Sequence, residues 1–169
     1  MFPAQPLTPV RWIFIPALQV ILATWLFIIP LRIFGLQFPE PVFAMVPTFA
    51  WALIRPSILA PFCLLLLGVA MDIIWGSPLG LWAVALLVPY GAVLAVRNML
   101  VGQQLFIMWV GFAVACGMAE LTGVLVTQVL SHGTPHVLGL VCQWGVTVAL
   151  YPLADRLIER FEDADVRFR

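Results

Sequence analysis

Gly68-Val-Ala-Met-Asp72-Ile-Ile-Trp-Gly76-Ser77-Pro78-Leu79-Gly80 is the stretch on which the reading of this chain turns. An apolar run that starts near Ile58 meets a single acid, Asp72, and stops four residues later at a compact Gly-Ser-Pro-Leu-Gly turn. A second apolar run begins at once with Leu81. Glycine and proline punctuate helices, so the pattern predicts two helices joined by a tight hairpin at Gly76, Ser77, Pro78, Leu79 and Gly80. A carboxylate inside such a helix is costly unless it is paired or hydrated, which makes Asp72 the first candidate functional residue.

Composition says what surrounds this hairpin. The 169-residue chain is 63% apolar and 9% charged, with a mean hydropathy of +1.09. A soluble domain carries about a quarter charged residues. So little polar surface could not cover a core in water, and bilayer lipid is the expected solvent.

Outward from the hairpin, the apolar runs divide the chain into six expected transmembrane helices. They cover residues 12–31, 42–54, 58–75, 81–96, 105–129 and 137–153. About 20 residues at 1.5 Å each cross a ~30 Å hydrocarbon core. The fold class is therefore all-α: a polytopic membrane bundle forming one domain, with residues 154–169 as a charged cytoplasmic tail. Pro3, Pro6 and Pro9 keep the N-terminal segment extended, and Pro16 falls in the first turn of the first span. No small-x-small cleavage site precedes Pro30, so the first run reads as a retained span. Residues 42–54 make the weakest span, being short and carrying Pro47 in the middle, so that a kinked, tilted or partly unwound segment is expected.

Arginines set the orientation. There are eight and no lysines. With the N-terminus inside, Arg11, Arg55, Arg97, Arg156, Arg160, Arg167 and Arg169 face the cytoplasm and only Arg32 faces out. Both termini are then cytoplasmic, and the turns at residues 76–80 and 131–136 lie outside. If residues 42–54 lay on the cytoplasmic surface and the N-terminus outside, Arg11 and Arg32 would exchange sides and the tally would again be seven to one. The tail mixes Asp155, Glu159, Glu162, Asp163 and Asp165 with its arginines, which suits a solvated helix end and not nucleic acid or anionic lipid.

Two acids lie within spans, Asp72 and Glu120, and both fall on the outer side of their span midpoints. Gln143, on a span running the other way, comes to a similar depth. These three predict a shared intramembrane polar pocket, with Arg32, His132 and His136 as counter-charges near the same side. The competing expectation is three separate structural roles. Gly133 and Pro135 keep His132 and His136 off a helix, and Cys63, Cys116 and Cys142 lack ligand spacing, so no metal site or cofactor is expected. Phosphate loops, metalloprotease motifs, nucleophile elbows and dinucleotide fingerprints are all missing from the sequence, and no catalytic residue is assigned.

Packing signals are clearer. Gly111, Ala115, Ala119 and Gly123 recur every four residues, a smooth stripe that lets another helix approach closely. Gly139, Gln143, Thr147, Tyr151 and Asp155 also recur at four, a face that avoids lipid and points into the bundle. Trp12, Trp75 and Trp82 suit interfacial anchors.

The run Gly68-x-x-x-Asp72-x-x-x-Gly76-Ser77-Pro78-Leu79-Gly80, followed by a span with Tyr90 and a basic end at Arg97, resembles the MreD family of rod shape-determining membrane proteins. The chain is similar to that family in length, in its tightly packed spans, and in ending with Pro152-Leu153 and a short charged tail. Trp82 stands where family members often carry a polar residue. The resemblance implies a non-enzymatic scaffold in the bacterial inner membrane, part of the cell-elongation machinery. It also implies MreC as a partner, with MreB and the peptidoglycan synthases reached through the complex. By the same analogy the fold is similar to the substrate-binding components of energy-coupling-factor transporters. The alternative function is accordingly a vitamin-type carrier with an outward-facing pocket lined by Asp72, Glu120 and Gln143.

Overall fold

A computed structural model describes residues 9–27, 32–33, 36–37, 40–54, 57–131 and 137–166. The side chains of Arg11, Trp12, Arg32 and Arg160, and residues Arg55, His132, His136, Arg167 and Arg169, lie outside what is described. The helices are α1 (Pro9–Phe27), α2 (Met45–Ile54), α3 (Leu59–Trp75), α4 (Leu81–Leu100), α5 (Leu105–Ser131), α6 (Val137–Val148) and α7 (Tyr151–Val166). Between α1 and α2, β1 (Arg32–Ile33) and β2 (Leu36–Gln37) form a minimal antiparallel ribbon, pairing Arg32 with Gln37 and Ile33 with Leu36. The rest of the described chain is helices joined by short turns, and α6 and α7 follow one another as a single rod broken at Ala149 and Leu150.

Three helical segments are long and apolar enough to cross a membrane: Leu81–Leu100, Leu105–Leu130 and Val137–Glu159. The other apolar helices are shorter, and α2 is the shortest of them with 10 residues. At 1.5 Å per residue it is about 15 Å long, half the thickness of a hydrocarbon core. The expected span over residues 42–54 thus begins as a turn, with Met45 N–H donating to the Val42 carbonyl and Val46 N–H to Phe43. Pro47 does not kink it. As the third residue of α2 it sits where a helix N–H has no partner within the helix, so nothing is lost.

Around this short helix the bundle is built. In α2, Met45, Phe49, Ala50, Trp51 and Ala52 are fully buried, and α4, α5 and α7 pack against it. Phe49 meets Phe112 of α5 edge-on with ring centroids 5.3 Å apart, a geometry that contributes about 1 kcal/mol beyond area burial. Tyr151 of α7 joins the same cluster, 5.7 Å from Phe112. The core is therefore centred on the element that reads as the weakest span in the sequence.

Four boundaries differ from the sequence expectation. Helix α1 starts at Pro9, which puts Pro16 inside the helix beyond its first turn. Helix α4 runs on to Leu100, continuous over Pro89, and stops where Gly102 takes φ +81°. The last rod breaks at Ala149–Leu150 because Pro152 cannot donate to the Val148 carbonyl. That carbonyl instead accepts from the Trp109 indole N–H, at 3.4 Å. Residues after Leu153 are not a free tail at their start: Ala154 and Ile158 are buried in the core as α7.

The small-residue stripe of α5 faces the chain's own helices. Ala115 and Ala119 are buried; a Cβ at Gly111 would meet Leu100 at 3.2 Å and Phe49 at 3.7 Å, and one at Gly123 would meet Leu81 at 3.9 Å. On the other side of α5, Trp144 of α6 donates its indole N–H to the Ala113 carbonyl at 2.9 Å.

Candidate functional site

Four polar side chains, Asp72, Arg97, Gln143 and Thr147, act as clamps on backbone ends, and Asp72 is the most complete of them. Its side chain is 1% exposed. Three donors converge on the carboxylate: Gly80 N–H on Oδ2 at 2.7 Å, and Ser77 O–H and Trp82 N–H on Oδ1 at 2.8 and 3.0 Å. Gly80 is the N-cap of α4 and Trp82 lies in its first turn, so Asp72 caps α4 from the preceding helix. Helix N-terminal N–H groups have no partner of their own, and the positive end of the helix dipole favours an anion there. The backbone of Asp72 closes the other half of the hairpin. Its carbonyl accepts from Gly76, in the left-handed conformation with φ 65°, and from Ser77 at 3.0 Å.

Each residue of the opening stretch now has a physical task. Gly68 sits one turn before Asp72 on the face that meets α4. A Cβ there would run into the Ala83 backbone and stand 2.7 Å from the Trp82 carbonyl carbon. Gly76 and Gly80 supply the two positive φ angles of the turn, 65° and 95°. Trp75 and Trp82 flank the turn with their rings edge-on at 4.7 Å. The contact holds the two helix ends together from the other side.

Helix α2 is clamped at both ends by other elements. At its start, the Thr147 hydroxyl of α6 accepts from Val42 N–H at 3.1 Å while donating to the Gln143 carbonyl at 2.7 Å. The Gln143 side-chain amide donates to the Glu40 carbonyl at 3.1 Å. At its end, Arg97 of α4 donates from Nε to the Leu53 carbonyl at 2.7 Å and from its terminal nitrogen to Ile54 at 3.2 Å. A guanidinium across the last carbonyls satisfies two acceptors that the helix cannot and complements the dipole. Such a short helix is marginal by itself, so its persistence rests on these caps and on burial.

Asp72 and Gln143 thus belong to two separate sets of partners, and neither bonds to the other or to Glu120. Glu120 Oε1 is buried without a hydrogen-bond partner among the described residues. Those residues contain no group of three or more His, Cys, Asp or Glu side chains able to hold a metal ion. Arg97 and Thr147 are the functional side chains that sequence reasoning did not single out by role. Arg97 carried a signal only as the charge ending a span; Thr147 carried one as part of the four-residue polar stripe. Tyr151, on that same stripe, donates to Asp155 Oδ1 at 3.2 Å.

No match to this chain is found among protein-family models, curated proteins or solved structures.

Proposed function

We propose that the chain is a non-enzymatic, multi-pass scaffold of the bacterial inner membrane, similar in role to the MreD family, that binds an MreC-type partner in the cell-elongation machinery. In this reading the six helical rods form the membrane bundle, with both termini cytoplasmic and the Asp72 hairpin on the outer side. MreB and the peptidoglycan synthases are reached through the partner.

The observation that carries the proposal is the use made of the polar side chains. Asp72, Arg97, Gln143 and Thr147 all hold backbone ends of this chain in place. Polar groups so engaged make a rigid body, and its outer surface is apolar, as at Leu22, Phe62, Ile73, Leu121, Leu125 and Leu138. A rigid, lipid-compatible body that presents surface to other membrane helices suits a scaffold.

Depletion in the native cell tests this. Rounding of rod-shaped cells, together with loss of the MreC-type protein from complexes pulled down with the chain, is the expected result. Cells that keep their shape and become dependent on an external vitamin would replace the scaffold with the carrier reading. The Oε1 of Glu120, buried without a partner among the described residues, is the observation on that side.

A further inference from the structure

Helix α1 has two unlike faces. Ile13, Pro16, Val20 and Thr24 are buried, and α3 is the helix it packs against. The opposite face is open: Phe14, Ile15, Leu18, Leu22 and Trp25 are between 52% and 67% exposed. Lipid alone would suit such a face if it were wholly apolar. It also carries Gln19, which is exposed and makes no hydrogen bond among the described residues.

The depth of Gln19 is what matters. It lies about 15 Å from the start of α1 and about 12 Å from the end, close to the middle of the helix. The other exposed amides on helices α1 to α6 are Asn98 and Gln128, each in the last turn of its helix and within reach of an interface. A glutamine side chain is too short to reach water from mid-helix. In hydrocarbon its amide group needs a protein partner.

We propose that α1 pairs with α1 of a second copy of this chain, in parallel, through the Ile15, Gln19 and Leu22 face, with the two Gln19 amides hydrogen-bonded to each other. The proposal rests on α1 spanning the bilayer. Two copies of a membrane protein with one orientation are related by a two-fold axis along the membrane normal. That operation brings residue 19 of one copy to residue 19 of the other at equal depth. An amide is both donor and acceptor, so it is complementary to itself. The 4-3 spacing of Ile15, Gln19 and Leu22 is the seam spacing of a two-helix coil, and a buried amide on such a seam selects the parallel pair. A second copy therefore meets the requirement with chemistry already present in the chain.

The test uses the full chain in lipid vesicles. Cys142 is the exposed native thiol, so cross-linking is done in a Cys142→Ala background. Gln19→Cys should form an intermolecular disulfide on mild oxidation, whereas Val20→Cys, on the buried face, should not. In a fluorescence energy-transfer dilution series, Gln19→Leu should weaken dimerisation about three- to twentyfold, the range for interhelical hydrogen bonds in membranes. Gln19→Asn should retain most of it. A wild-type chain that stays monomeric at every protein-to-lipid ratio overturns the proposal. So does a dimer that ignores Gln19→Leu. If a membrane-impermeant maleimide modifies the thiol of the Gln19→Cys variant, α1 is not in the bilayer and the spanning reading falls as well. A monomer in which that thiol is protected refutes the dimer alone.

Discussion

Replacing Asp72 by alanine should unfasten the α3–α4 hairpin. The carboxylate accepts from Gly80 N–H, Trp82 N–H and the Ser77 hydroxyl. Ser77 is only half-buried and its hydroxyl can turn elsewhere. The two N–H groups cannot, because the helix they begin offers them no carbonyl. Leaving a buried donor unpaired costs about 1–3 kcal/mol, so two cost ~2–6 kcal/mol, and water entering at the turn should hold the loss to about 2–4 kcal/mol. At about 2–4 °C per kcal/mol for a chain of this size, the midpoint of thermal unfolding in detergent should fall by about 5–15 °C. Asp72→Asn should lose less. Its carbonyl can still serve Ser77 and Trp82, but its amino group then faces Gly80 N–H, donor against donor. Asp155→Ala is the control, since that half-buried acid accepts one long bond from Tyr151. An Asp72→Ala midpoint within the error of wild type, with Asp155→Ala lowered equally or more, would refute the clamp.

Three further perturbations address the other contacts. Gly68→Ala puts a methyl into the Ala83 backbone, which cannot rotate away; a loss of about 1–3 kcal/mol in unfolding free energy is expected, as for overpacking. Arg97→Ala should free the Leu53 and Ile54 carbonyls and raise amide hydrogen exchange through α2, while Arg97→Lys, with one point charge in place of a fork, should fall between it and wild type. Thr147→Val keeps the shape but leaves Val42 N–H without an acceptor; thermal unfolding should show a loss of about 1–3 kcal/mol.

The hairpin was legible in the sequence because its signals are local. Glycines at 76 and 80 permit positive φ, proline at 78 ends a helix, and an acid four residues before the turn is within reach of the next helix start. The small-residue stripe was legible for the same reason, since i, i+4 spacing alone makes a smooth face. The pairing of Asp72 with Glu120 and Gln143 was inferred from depth along separate helices. Depth says nothing about azimuth, and the structure ties Asp72 to its own turn and Gln143 to Glu40.

Other features lie beyond any local pattern. Arg97 reads as a charge at the end of a span until the carbonyls of Leu53 and Ile54, some forty residues earlier, are seen beneath it. Thr147 meets Val42 across 105 residues of chain. A proline such as Pro47 looks disruptive or harmless according to where the helix begins, and that start is set by the turn at residues 42–44 and its distant partners.

Composition and periodicity therefore determined that the chain is helical, apolar on its outside and folded back tightly at Gly76–Gly80. The tertiary structure alone decided that the shortest apolar helix lies at the centre. Its end groups find partners on α4 and α6, and the local sequence of neither segment says which distant group its hydrogen bonds will meet.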